Sequence, residues 1–92
     1  MSSEQIKQLA GQVANGASTL RSKNNAANNG AVRAGGSWKG EAGAAFADAW
    51  KKNQAKVVRV LNDMSSLKTR LDTLALRVRQ AETEKIASAK KG

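Results

Sequence analysis

A chain of 92 residues corresponds to one small domain, and because 17 of its residues are alanine and only 3% are aromatic, it buries a limited core by itself. The absence of Cys, His and Tyr excludes disulfides and thiolate metal sites and removes the commonest general bases, so we expect no catalytic residue, metal or cofactor. The formal charge of +9 favours an acidic protein, a nucleic acid or an anionic surface as the partner.

The first predicted element is an amphipathic helix over residues 4–31. Two sets of positions recur every seven residues, the second set three residues after the first, and this spacing places them on one helix face. These positions are Ile6, Val13, Leu20 and Ala27, and then Leu9, Gly16, Lys23 and Gly30. Residues 23–30 are rich in asparagine, whose side chain competes for backbone hydrogen bonds, so we expect this helix to fray at its end unless something packs on it.

A turn over residues 34–40 is predicted next, because Gly35 and Gly36 readily end a helix. A longer helix over residues 41–86 follows, and a loose basic tail covers residues 87–92. The whole chain, 1–92, is therefore predicted to be one all-α antiparallel helical hairpin.

The second helix carries two rows of residues that each recur every seven positions. The first row is Trp50, Val57, Met64, Leu71 and Val78; the second row is Phe46, Asn53, Val60, Leu67, Leu74 and Ala81. Five consecutive heptads indicate helix-on-helix packing with a left-handed supercoil. The residues predicted to pack the hairpin or a dimer are Leu9, Val13, Leu20, Phe46, Trp50, Val57, Val60, Met64, Leu67, Leu71, Leu74 and Val78.

Further apolar side chains lie beside or behind these rows, namely Val58, Leu61 and Leu76. One partner helix cannot cover them together with the rows, and leaving apolar surface in water forgoes about 25 cal/mol per Å². We therefore expect a second hairpin to complete a four-helix bundle.

The segment Trp38-Lys39-Gly40 joins the two helices near the middle of the chain, and the small-residue run 41–46 follows it. A W-x-G turn between two helices in a chain of about this length resembles the WXG family, the early-secreted-antigen-like substrates of bacterial type VII secretion. The resemblance implies export as a dimer without a cleavable signal, from the cytoplasm. It also implies that Trp38 and Gly40 contribute, with a partner's C-terminal signal, to the surface that the secretion ATPase reads.

The chain departs from the family in its own C-terminal signal, which in the family reads Y-x-x-x-[D/E]. Glu84 fits the acidic position, but Gln80 stands where tyrosine is expected. The resemblance therefore favours a heterodimer whose other member carries the complete signal, with a homodimer as the alternative. Lys56, Arg70 and Arg77 precede first-row residues, and such flanking charges select partners in helical bundles. The expected partner is an acidic helical hairpin.

Two other functions remain open at this point. A basic helical nucleic-acid-binding protein is the first, although the basic residues are spread over several helix faces and three aromatics provide few stacking platforms. The second is an escort, or chaperone-like partner, of a larger exported effector. No small-molecule substrate is predicted, and no run of 18 apolar residues indicates a membrane span.

Overall fold

The computed structural model describes residues 1–91, which form two α-helices and no strand. Helix α1 spans Ser3–Ser37 and helix α2 spans Gly40–Lys91. The fold is the predicted all-α helical hairpin. No helix within residues 1–91 combines the length and hydropathy needed to cross a bilayer.

The N-terminus of α1 is fixed by a capping box. The Ser2 amide donates a hydrogen bond to Gln5 Oε1 at 2.9 Å, and the Gln5 amide donates one to Ser2 Oγ at 3.2 Å. Each side chain thus satisfies a backbone N–H that has no partner within the helix. The sequence Ser-x-x-Gln therefore starts the helix at the point observed.

The predicted helix ends need correction. Helix α1 continues to Ser37 and does not end near residue 31, and the predicted turn 34–40 shrinks to Trp38 and Lys39. Gly35 and Gly36 stay helical, and the left-handed backbone comes only at Gly40, with φ of 77°. Helix α2 extends past residue 86 to Lys91, so the tail predicted at 87–92 is helical as far as it is described; Gly92 lies outside the described residues.

The chain divides into two compact units. We call Gly16–Asp63, which contains the turn, the turn unit. Met1–Asn15 together with α2 from Met64 onward is the terminal unit. The organisation of residues 1–92 as one domain stays a prediction.

Polar contacts hold the two helices of the turn unit together. The side-chain amides of Asn24 and Gln54 exchange two hydrogen bonds, of 2.9 and 3.1 Å. One turn further along α1, Asn28 Oδ1 accepts a 2.8 Å bond from the Trp50 indole N–H. Four residues forward on α1 correspond to four residues backward on α2, which is the antiparallel arrangement. These bonds explain why the asparagine-rich segment stays helical.

The terminal unit contains the fully buried apolar side chains of the described chain, Ile6, Ala10 and Ala75. The carboxylate of Glu82 on α2 accepts hydrogen bonds from the Ser3 amide at 2.9 Å and from the Ser3 hydroxyl at 3.1 Å. An anion at a helix N-terminus meets both free N–H groups and the positive end of the helix dipole. The first turn of α1 is therefore anchored on α2.

The two rows on α2 differ in burial within the chain. All first-row residues are half-buried, and so are Val13 and Leu20 on α1. The second row is divided: Phe46 is half-buried, whereas Val60, Leu67 and Leu74 are 46%, 47% and 47% exposed, and Leu9 on α1 is also exposed.

A different set of positions shares the covered face of α2 with the first row. It lies four residues after the first row and includes Leu61 and Ala75. Leu61 was expected outside the rows but is half-buried, while Val58 and Leu76 are exposed as expected.

Candidate functional site: the W-x-G turn and the exposed heptad row

The turn presents a large aromatic ring to solvent. Trp38 is 51% exposed, and its ring meets that of Phe46 edge to face, with centroids 5.0 Å apart and an interplanar angle of 75°. Edge-to-face geometry is favourable for aromatic pairs. The pair holds the Trp38 indole in one orientation at the end of the turn unit.

Gly40 and Gly43 serve the turn in two different ways. Gly40 has φ of 77°, a left-handed conformation that side chains disfavour, although a Cβ there would meet nothing within 4 Å. At Gly43 the backbone is helical, but a Cβ would lie 2.5 Å from the Trp38 carbonyl oxygen. Gly40 therefore permits the backbone angle, and Gly43 permits the close approach.

Sequence reasoning singled out Gly40 but missed Gly43. The available signal was a glycine inside a predicted helix, which costs about 1 kcal/mol relative to alanine, but Gly11 and Gly30 share that signal without a close contact. The motif W-x-G is thus extended by a second glycine three residues later, which receives the Trp38 carbonyl against the first turn of α2.

The two residues predicted for the C-terminal signal lie in the terminal unit, whereas Trp38 and Gly40 lie in the turn unit. Gln80 and Glu84 are exposed on α2 and line an open groove of about 380 Å³ together with Leu76, Arg79 and Thr83. Glu82, between them, is directed to Ser3 instead. The sequence did not single out Glu82, because its partner is 79 residues away in the chain.

The exposed second row is bordered by charged positions at helical spacing. Residues three or four positions from Val60, Leu67 and Leu74 share their side of the helix. Those positions hold three basic residues and one acidic residue: Lys56, Asp63, Arg70 and Arg77. The ion pairs seen on α2, Lys52 with Asp48 and Lys68 with Asp72, use other residues.

Within residues 1–91 no cluster of three or more Asp, Glu, His or Cys side chains is arranged to hold a metal ion. The arrangement offers surfaces for association: an oriented tryptophan, a row of uncovered apolar side chains and a basic border.

Comparison with protein families finds a matching family model. The model described as WXG100, proteins of 100 residues with WXG, matches residues 1–83. This range includes the whole turn unit, the exposed heptad row and the terminal unit as far as residue 83, so Glu84 lies outside it. Searches of curated proteins and of solved structures give no significant match.

Proposed function

The chain belongs to the WXG100 family, and from this premise we propose that it is exported by a bacterial type VII secretion system as one member of a helical dimer. It acts through protein–protein contacts and carries out no catalysis. The family match supports export, and it agrees with the resemblance carried by Trp38 and Gly40. Association with a second helical chain rests on an observation of this chain itself.

That observation is the exposure of Val60, Leu67 and Leu74 at seven-residue intervals. Complete burial of a leucine or valine contributes about 1.5–3 kcal/mol, so covering three half-exposed side chains contributes about 3 kcal/mol from this chain alone. Seven-residue spacing matches the knobs of a facing helix. A second hairpin seated on this row would complete a four-helix bundle.

Charge supports an acidic partner. Lys56, Arg70 and Arg77 border the second row, with Asp63 as the single acidic member of that border. Two copies of a chain with formal charge +9 repel each other, whereas an acidic hairpin is attracted and oriented before contact. We therefore favour a heterodimer over a homodimer.

Recognition by the secretion ATPase is proposed for Trp38, with Gly40 shaping the turn that presents it. The exposed indole supports this role, because it combines a large apolar surface with a polar N–H. Gln80 lacks the tyrosine ring that the family signal requires, so Glu84 supplies only part of that signal. The partner is proposed to supply the complete one.

Association is tested by expressing the tagged chain in its native host and measuring the mass of the purified complex. Leu67→Asp places a carboxylate in the second row and should prevent the complex from forming, because an unpaired buried charge is costly. Ile86→Asp is the matched control, since Ile86 is an exposed branched aliphatic residue of the same helix outside both rows. A complex that tolerates both substitutions equally would contradict the proposed interface.

The measured mass also separates the simple dimer from an escort of a larger effector. A partner of similar size supports the dimer, and a much larger partner supports the escort. A partner that is basic would contradict the proposed charge complementarity.

Export is tested separately by comparing the chain in the culture medium and in cells. Trp38→Ala should leave the complex intact and reduce the exported fraction, whereas Val58→Ala, another exposed apolar truncation, should leave it unchanged. Undiminished export of the Trp38 variant would reject the recognition role.

A further inference from the structure

A cavity of about 460 Å³ opens on the turn unit. Its lining includes Ala31, Val32, Gly35, Phe46, Trp50 and Lys51. The volume lies within the range of small-molecule sites, which are mostly apolar with a few polar groups that fix orientation.

The neutral polar side chains in the cavity wall, Trp50 and Gln54, already have hydrogen-bond partners. The Trp50 indole N–H donates to Asn28, and both atoms of the Gln54 amide are bonded to Asn24. Trp50 therefore presents its indole ring to the cavity and Gln54 its methylene groups, and neither side chain presents a free hydrogen-bonding atom. Val32, at the edge, is 67% exposed and would be covered by an occupant.

Lys51 is the one charged side chain that lines the cavity. The ion pairs found within residues 1–91 join Lys52 to Asp48 and Lys68 to Asp72, so the Lys51 ammonium has no carboxylate partner there. No acidic residue lines the cavity either. An apolar wall with one uncommitted cation fits an apolar molecule that ends in one negative charge.

The position of Lys51 on α2 keeps it away from the proposed dimer row. Val60 lies nine positions after Lys51, and at 3.6 residues per turn nine positions are two and a half turns. The two side chains therefore point to opposite sides of the helix. A partner hairpin seated over Val60 leaves Lys51 accessible.

We propose that the cavity binds a single-chain apolar carboxylate of the fatty-acid class. The alkyl chain lies along Phe46, Trp50 and Val32, and the carboxylate pairs with the Lys51 ammonium. The lining supports this ligand over a neutral apolar one because Lys51 has no other charge to pair with.

The test uses the full chain labelled with ¹⁵N and titrated with sodium laurate below its micelle concentration. The Trp50 indole resonance should shift and saturate at one equivalent. Dodecyltrimethylammonium, which has an alkyl chain of the same length and a positive head, should bind at least about tenfold more weakly because it lacks the charge-assisted bond.

Two pairs of neighbouring residues provide matched variants. Gly35 lines the cavity and Gly36 does not, and a Cβ at either meets nothing within 4 Å. Gly35→Leu should fill the cavity and abolish saturable binding, and Gly36→Leu should preserve it. Lys51→Met should weaken laurate binding about tenfold through loss of the charge-assisted bond, and Lys52→Met should leave it unchanged.

Three results would overturn the proposal. A Trp50 resonance that does not move, or moves without saturating, would show that the cavity is not a specific site for laurate. Equal losses for both lysine variants would mean that laurate binds to general positive charge. Retained binding in Gly35→Leu would place the ligand elsewhere on the chain.

Discussion

Gly43→Ala isolates the close approach between the turn and α2. The new Cβ would lie 2.5 Å from the Trp38 carbonyl oxygen and 3.0 Å from its carbonyl carbon. Both atoms are backbone atoms, so no side chain can rotate out of the way. The turn must move by several tenths of an ångström, and Trp38 and its contact with Phe46 move with it.

Two opposing effects set the size of the change. Replacing a helical glycine by alanine raises stability by about 1 kcal/mol. Forcing one extra carbon into a close-packed place costs typically about 1–3 kcal/mol. The middle of this range, about 2 kcal/mol, exceeds the gain of about 1 kcal/mol, so Gly43→Ala should lower the free energy of unfolding by about 1 kcal/mol.

Gly11→Ala is the matched control, because Gly11 is helical and a Cβ there meets nothing within 4 Å. It should raise the free energy of unfolding by about 1 kcal/mol, so the two variants change stability in opposite directions. Urea unfolding followed by circular dichroism measures both, at one fixed protein concentration because association contributes to stability. If Gly43→Ala is as stable as Gly11→Ala, the close approach at the turn is not a constraint.

Three further predictions concern the turn and the polar contacts. Gly40→Ala should lower the free energy of unfolding by about 1 kcal/mol because of its left-handed backbone, as measured by urea unfolding. Asn28→Ala should leave the Trp50 indole N–H without its partner and cost about 1–2 kcal/mol, with the Trp50 indole proton exchanging faster with solvent; unchanged exchange would contradict the bond. Glu82→Ala should speed exchange of the Ser3 amide and cost about 1 kcal/mol, whereas Glu84→Ala, at an exposed site, should do neither.

The sequence predicted the two helices and the place of the turn, because both depend on local or periodic signals. Heptads define helix faces without reference to the partner, and Trp38-Lys39-Gly40 is the segment between two such patterns. The end of α1 was misplaced because asparagine has a low intrinsic helix preference. Its actual partners, Gln54 for Asn24 and Trp50 for Asn28, are 22 to 30 residues away and invisible to local reasoning.

The covered face of α2 could not be chosen from periodicity alone. The positions four residues after the first row, which include Leu61 and Ala75, fit a heptad pattern as well as the second row does. Leu67 and Leu74 were predicted to pack the hairpin or a dimer; within the chain they are exposed, whereas Ala75 is buried and Leu61 is half-buried. Small side chains let helices approach closely, and size alone gave no sign of this arrangement.

This arrangement explains why the polar bonds matter to the hairpin. The buried apolar residues Ile6, Ala10 and Ala75 belong to the terminal unit, whereas the covered apolar side chains of the turn unit are only half-buried. Contacts between half-buried apolar side chains are non-directional, so they set the alignment of the two helices weakly. Hydrogen bonds between amides do not tolerate a shift of one helix along the other, because a misaligned buried amide loses its partner. The Asn24–Gln54 pair therefore specifies the alignment of the turn unit, in the way that a single polar residue specifies register in a coiled coil. The second-row residues Val60, Leu67 and Leu74 take little part in this alignment because they stay exposed, and they are the residues that we propose a second chain covers.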